Sequence, residues 1–407
     1  MLISKINKNF NAIQKNQLIS SSNNKSKKVN NIKILLIGMI DSPHFHKWIE
    51  AVTLEFPNKK VLIFPSDRPH LEDEKFNDFK RENKAVKIFQ LFPFRKINFT
   101  LYYILDLVVG IRWRAYFLAK FIKMHKPYVL HFHEMQHGAY IFNLISNTNN
   151  ISENSRKIIS TWGSDLSLYS SVDSHKAQIN TCLNWADLLT AEKEEELADA
   201  KKFGFIGEFR APLYITLGAK FDDNTELAIP SSRKIILIKG HQSNTGRALN
   251  VLHVISQMRE ALEEFEILVY SAAEPVKIQV DILRNTYKIN INTIENLSNT
   301  QMLALFERAR VSISLAISDG LPGVLVEAMQ SGTFPIQSEN SAAKDLLVNG
   351  TNGFIVDPWN FDSIRVSLLR AVSDDQLVDN AVFVNRNILK EKYNYEDGVK
   401  KLRELYL

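Results

Sequence analysis

Between Val311 and Gln337 the chain reads VSISLAISDGLPGVLVEAMQSGTFPIQ, an order of elements that few folds accommodate. The run VSISLAI alternates with a period of two, as a strand feeding a sheet does. A polar turn follows, Ser318-Asp319-Gly320-Leu321-Pro322-Gly323, after which Val324, Leu325, Ala328 and Met329 recur at helical spacing. Pro322 suits a first helical turn, where its missing N–H costs nothing, and Gly332 suits the helix exit before a second short strand, TFPIQ. Strand, loop, helix, strand is the repeating unit of a doubly wound α/β domain.

A loop on the carboxyl side of a parallel strand, running into a helix whose first N–H groups face it, is a natural anion site. Asp319 and Glu327 stand beside it with seven residues between them. Two carboxylates next to an anion site are at odds unless they bind hydroxyl groups. A ligand with phosphates flanked by a ribose and a sugar satisfies every group, and that describes a nucleotide sugar.

The pattern Asp319-Gly320-Leu321-Pro322, then Glu327-Ala328-Met329, then Gly332-Thr333 and Pro335-Ile336, resembles the acidic-x7-Glu signature of the family-4 retaining glycosyltransferases. The resemblance implies the GT-B fold, α/β with two Rossmann-like doubly wound domains facing a cleft. It implies that Glu327 holds the nucleoside ribose, that Asp319, where the family usually has Glu, lies near the donor sugar, and that the backbone from Gly320 through Leu321, Pro322 and Gly323 to Val324 lies beside the donor. More weakly, it extends over residues 32–407.

The totals agree with an ordinary soluble globular chain: 407 residues, 45% apolar and 23% charged, are enough for two domains with substantial cores. A single cysteine, Cys182, excludes an intrachain disulfide framework and a zinc cluster, and reads as a buried small residue. The net charge of +5 is too modest for a nucleic-acid binder. Basic residues concentrate towards the amino end. Residues 1–33 hold seven lysines and no acid, and the first 31 read as a flexible basic leader without the apolar core of a secretory signal. No segment reaches eighteen uncharged apolar residues, so none should span a bilayer.

Residues 31–40, NIKILLIGMI, read as a buried parallel strand opening a first domain over 32–211. The loop after it carries His44, at the end of the strand that faces the other domain. Further strands are read at 61–66 and 86–92, and no GxGxxG follows any of them, which argues against a dinucleotide-binding oxidoreductase. The aromatic and basic segment 91–128 reads as one long helix in its middle. Its apolar side chains with Arg112, Arg114, Lys120 and Lys123 suit either a packed helix with a solvated rim or a peripheral contact with anionic membrane. His131 and His133 lie in the next strand and are expected on opposite faces, one buried and one available.

In the segment Ser160-Thr161-Trp162-Gly163-Ser164-Asp165, Trp162 stands where the resembled family has its histidine, while Gly163 and Asp165 are retained. Trp162 cannot transfer a proton; stacking on a sugar or lining the cleft suits it better. His133 is the first substitute for the missing histidine, and His44 the second. Residues 212–232, with several breakers, read as the connection to a second domain over 233–385, and 386–407 as a helix crossing back to the first. The second domain opens with a strand and glycine loop flanked by Lys239 and Arg247. By resemblance these clamp the donor pyrophosphate, in inverted order and at wider spacing than in the family; two surface cations would read the same way.

The reading is a glycosyltransferase of hexosyltransferase type, using a nucleoside-diphosphate sugar as donor substrate and no cofactor. The resemblance adds retention of configuration, a glycan or lipid-linked acceptor, cell-surface polysaccharide or glycolipid synthesis, and a cytoplasmic setting at the inner membrane face. No Asp-x-Asp occurs, so a metal-chelating acidic pair is not expected. The rivals are a non-catalytic donor-binding partner of another transferase and a GT-B epimerase.

Overall fold

The computed structural model describes residues 33–67, 86–91, 95–147, 151, 154–219, 228–295 and 297–407. The leader at 1–31 and residues 220–227 of the connection at 212–232 therefore lie outside the described residues. Two sheets organise the chain, and every recorded strand pair is parallel.

The first sheet has the order β3-β2-β1-β4-β5-β6-β7. Its strands are β1 (Lys33–Gly38), β2 (Lys60–Pro65), β3 (Val86–Ile88), β4 (Val129–His133), β5 (Arg156–Ser160), β6 (Leu188–Thr190) and β7 (Glu208–Arg210). The helices between them are α1 (Pro43–Glu55), α2 (Arg95–Val108), α3 (Arg112–His125), the single turn α4 (Tyr140–Asn143), α5 (Asp173–Trp185) and α6 (Glu196–Lys202). Because helices cover both faces, the central strands are apolar on both sides, and Ile34 to Ile37 are all fully buried.

The second sheet has the order β10-β9-β8-β11-β12-β13. Its strands are β8 (Ile235–Lys239), β9 (Glu266–Tyr270), β10 (Ile291–Ile294), β11 (Ala309–Ser314), β12 (Phe334–Ser338) and β13 (Phe354–Val356). The helices are α7 (Ala248–Ser256), α8 (Glu274–Asn285), α9 (Asn299–Arg308), α10 (Gly323–Gln330), α11 (Phe361–Ser373), α12 (Asp375–Lys392) and α13 (Tyr395–Tyr406).

Strand order reverses between β1 and β4 in one sheet and between β8 and β11 in the other. The crevice outside the carboxyl ends of the strands at such a reversal is where ligands bind in open α/β sheets. The loops there are 39–42 and 134–138 in the first domain, and 240–247 and 315–322 in the second. These two crevices face each other.

Three expectations are corrected. The segment 91–128 forms two helices, because Gly110 takes a φ of +64° and the chain turns over Val109–Ile111. The return to the first domain comes at Tyr393–Asn394, not at 386: α12 continues to Lys392, and only α13 packs on α1. His131 and His133 share a face, since residues two apart on a strand point the same way, and their ring centroids are 4.1 Å apart.

The last helix is built into the first domain's core. Trp48 donates from Nε1 to the Tyr406 hydroxyl at 2.9 Å, and that hydroxyl lies 2.5 Å from His131 Nδ1. Since Tyr406 accepts from Trp48, its own proton goes to Nδ1. His131 Nε2–H is then left to donate to Ser160 Oγ, 2.7 Å away, and Ser160 to Thr190 Oγ1 at 2.6 Å. Every member of this chain is satisfied with His131 neutral. Burial pushes the His131 imidazole down to about 3, in agreement.

Candidate active site

At the β8–β11 reversal, Lys239 ends β8 and Asp319 sits in the loop beyond β11, with Glu327 one turn into α10. Burial pushes the Asp319 carboxyl up, opposed by Lys239, the Gly320 amide and Lys193. Burial likewise raises Glu327, opposed by Lys47 and Lys239. Lys239 therefore lies close enough to act on both carboxylates at once.

Pro322 is the N-cap of α10 rather than its first helical residue, and its side chain can supply no capping bond. Two of the loop amides expected to face a ligand are already engaged. Gly320 N donates to Asp319 Oδ1 at 2.9 Å, and Leu321 N to Glu192 Oε2 at 2.8 Å. Pro322 has none, so the amides left for an anion are those of Gly323 and Val324, for which the hydrogen bonds among the described residues include no acceptor.

The first domain brings His44 and Lys47 across the cleft. Burial first, then Lys47 and Lys239, push the His44 imidazole down to about 4, so it is neutral at pH 7. Its Nδ1 has no partner among the described residues, and its ring meets the edge of Trp162 at 6.1 Å. Trp162 is half-buried beside it and packs against the first domain's core.

Among the described residues, the two domains press closely together at Gly163 and Gly320. Gly163 has a φ of +40°, and a Cβ there would run into the Gly320 amide nitrogen. On either side of this contact, Lys193 Nζ donates to Asp319 O at 3.2 Å and Ser164 Oγ to Ser318 O at 3.4 Å, while the Ser167 and Ser318 hydroxyls pair at 2.9 Å. Glu192 is buried and accepts from Leu321 N with one oxygen and from Ile215 N, 3.0 Å away, with the other. Burial pushes its carboxyl up to about 7 against those two bonds. Glu192 and Lys193, consecutive in sequence after β6, thus clasp the loop that carries Asp319.

Several expected site residues lie elsewhere. His133 is fully buried between His131, Phe45 and Trp48, its ring nitrogens unpartnered among the described residues; burial and then His131 hold it well below its usual range. It does not reach the cleft, whereas His44, the second candidate, does. Asp165 is also buried, accepting from Met135 N at 3.0 Å and Trp162 N at 2.9 Å, so it braces the two loops beneath the cleft rather than lining it. Arg247 folds back on its own loop, donating to Ser243 O and Gly246 O at 3.1 and 2.7 Å, and stacks on Trp359 at 4.7 Å. Lys239 opposes the rise at both Asp319 and Glu327, and Lys47 that at Glu327.

Sequence reading missed Lys47, Glu192, Lys193 and His241. Lys239 depresses His241 after burial does, and Asp319 opposes it, which puts that ring at the same crevice. The one available signal was position: His241 follows the Gly240 turn directly after β8. Beside the carboxylates, at the carboxyl ends of β9 and β10, lies a cavity of about 400 Å³ lined by Tyr270, Ser271, Lys277, Glu295 and Leu297. Glu327 acts on Tyr270 through space, so the cavity adjoins the helix that carries it.

Residues 220–387 match the family model described as glycosyl transferases group 1. No curated protein matches the chain. Among solved structures, a glycosyltransferase from Rickettsia africae superposes with a TM-score of 0.66 at 15% identity, covering 93% of this chain and 98% of its own. HepE of Anabaena, solved with UDP and glucose, gives 0.66 at 13%, covering 92% and 99%. Sucrose-phosphate synthase from Thermosynechococcus elongatus gives 0.67 at 13%, covering 92% and 98%. The fold is GT-B, α/β with two doubly wound domains facing a cleft.

Proposed function

We propose that this protein is a glycosyltransferase moving a sugar from a nucleoside-diphosphate sugar to a glycan or lipid-linked acceptor. The observation that carries the reading is the meeting of Asp319, Glu327 and Lys239 at the start of α10, with His44 and Lys47 opposite them. The group 1 match over residues 220–387 supports it, as does the shared fold of HepE, whose structure holds UDP and glucose.

In this reading Glu327 accepts hydrogen bonds from the ribose hydroxyls, and the base enters the 400 Å³ cavity beside it. The diphosphate lies on the amides of Gly323 and Val324, between Lys239 and Lys47, with the sugar near Asp319. As the sugar–phosphate bond breaks, charge builds on the leaving diphosphate, and fixed cations with helix amides offset it where water is scarce. The chain has no Asp-x-Asp, so this offset is assigned to side chains and backbone rather than to a chelated metal. Neutral His44 and Trp162 face the acceptor. Retention follows the family resemblance, with the acceptor proton passing to the leaving phosphate.

Calorimetry with UDP-, GDP- and ADP-sugars in the presence of a chelator tests the reading. One donor should bind, and Glu327→Ala should weaken it by about 2 kcal/mol or more, since the variant removes the ribose acceptor and leaves the helix intact. Failure of every donor to bind at millimolar concentration, or equal binding by the variant, overturns this placement. Binding of a donor without turnover across an acceptor panel would favour a non-catalytic partner instead.

A further inference from the structure

Helix α2 presents one exposed apolar face. Ile97, Tyr103, Ile104, Leu107 and Val108 recur at helical spacing and all face solvent, Leu107 at 69% and Val108 at 77% exposure. The face continues through the turn, where Val109 and Ile111 are also exposed, into α3. There Arg112, Tyr116, Lys120, Lys123 and Met124 lie along one exposed stripe, with Lys120 Nζ 4.5 Å over the Tyr116 ring. Alongside α3 an open groove of about 870 Å³ has a floor of Phe89, Phe117 and Phe121, with Lys120, Lys123 and Met124 also lining it.

Charge decides what this surface fits. Between residues 95 and 128 the one acid is Asp106, and its carboxylate is held by Arg114, at 2.9 Å, and by Trp113 Nε1, at 2.8 Å. The exposed charges on α3 and just beyond it are cations: Arg112, Lys120, Lys123 and Lys126. A second copy of the chain, docked through the same face, would set these cations against each other. An apolar face with aromatics and a basic border matches the acyl boundary and headgroups of an anionic bilayer. Among the described residues no helix is long and apolar enough to cross a membrane, so contact is lateral.

We propose that the α2–α3 corner is a docking surface for an anionic lipid bilayer, with Leu107, Val108 and the intervening turn entering the interface and the α3 cations on the headgroups. The corner is tied to the cleft. Arg114 donates to Asp67 O at 2.7 Å, and Asp67 Oδ1 accepts from Ile40 N at 2.8 Å, in the loop that leads to His44. Docking therefore holds the first domain's side of the cleft near the bilayer. The proposal stands whether or not the transferase reading holds.

The test is co-sedimentation of the full chain with phosphatidylcholine vesicles, with and without about one-third phosphatidylglycerol. Wild type should partition onto the anionic vesicles and be released by salt. The double variant Leu107→Asp/Val108→Asp should lose about tenfold or more in partitioning, and Lys120→Glu/Lys123→Glu a comparable amount, with thermal unfolding unchanged because all four side chains are exposed. The proposal is overturned if wild type does not sediment with anionic vesicles, or if both variants partition as wild type does. It is equally overturned if sedimentation equilibrium shows a dimer that the Leu107→Asp/Val108→Asp variant dissolves.

Discussion

Lys239 acts on His44, Asp319, Glu327 and His241 at once, whereas Arg247 spends its guanidinium on the carbonyls of its own loop. The two cations looked equivalent in the sequence because each flanks the same glycine loop. Side-chain direction separates them: a residue ending a strand points into the crevice, while one at a helix start can turn back on its turn. Lys239→Ala is therefore expected to lower kcat by roughly 100-fold, as loss of a preorganised charge at a developing anion does. Arg247→Ala should lower the thermal midpoint with a much smaller change in kcat. Equal losses of kcat in the two variants, measured by steady-state kinetics, would reverse the assignment.

At the scale of elements, β11, its loop and α10 were legible because their signals are local: a two-residue period, a Gly–Pro turn, then helical spacing. The second half of the site was not. Glu192 lies 129 residues from Leu321, and only folding makes it an acceptor for that amide. Gly163 was read as a family match, yet its physical reason is the Gly320 backbone pressed against it. Gly163→Ala combines a strained φ with that clash, so the loops must part. The variant should keep its far-ultraviolet circular dichroism, gain radius of gyration in X-ray scattering, and lose about tenfold or more in kcat/KM. An unchanged radius with full activity would show that this contact is not needed for closure.

At the scale of the whole molecule, the chain's return to its first domain is fastened at Tyr406. Trp48, Tyr406, His131, Ser160 and Thr190 form one buried hydrogen-bonded chain, and the link from Trp48 to Tyr406 spans 358 residues. Tyr406→Phe would leave the Trp48 N–H and His131 Nδ1 unsatisfied in the core. It should cost about 1–3 kcal/mol in urea unfolding followed by tryptophan fluorescence. A loss well under 1 kcal/mol would mean that water replaces the hydroxyl.

What the sequence by itself determined is whatever repeats at short range. The alternation of strand and helix, the α/β class, and the Asp319–Glu327 spacing follow from periodicity and turn chemistry within a few residues. Tertiary structure decided which histidine faces the cleft, which cations oppose the carboxylates, and where the chain returns to its first domain. His133 and His44 carry the same imidazole. They differ because β4 is central and covered on both faces, while the start of α1 stands at the strand-order reversal. Burial and electrostatic neighbours belong to the packed molecule, and no run of residues encodes them alone.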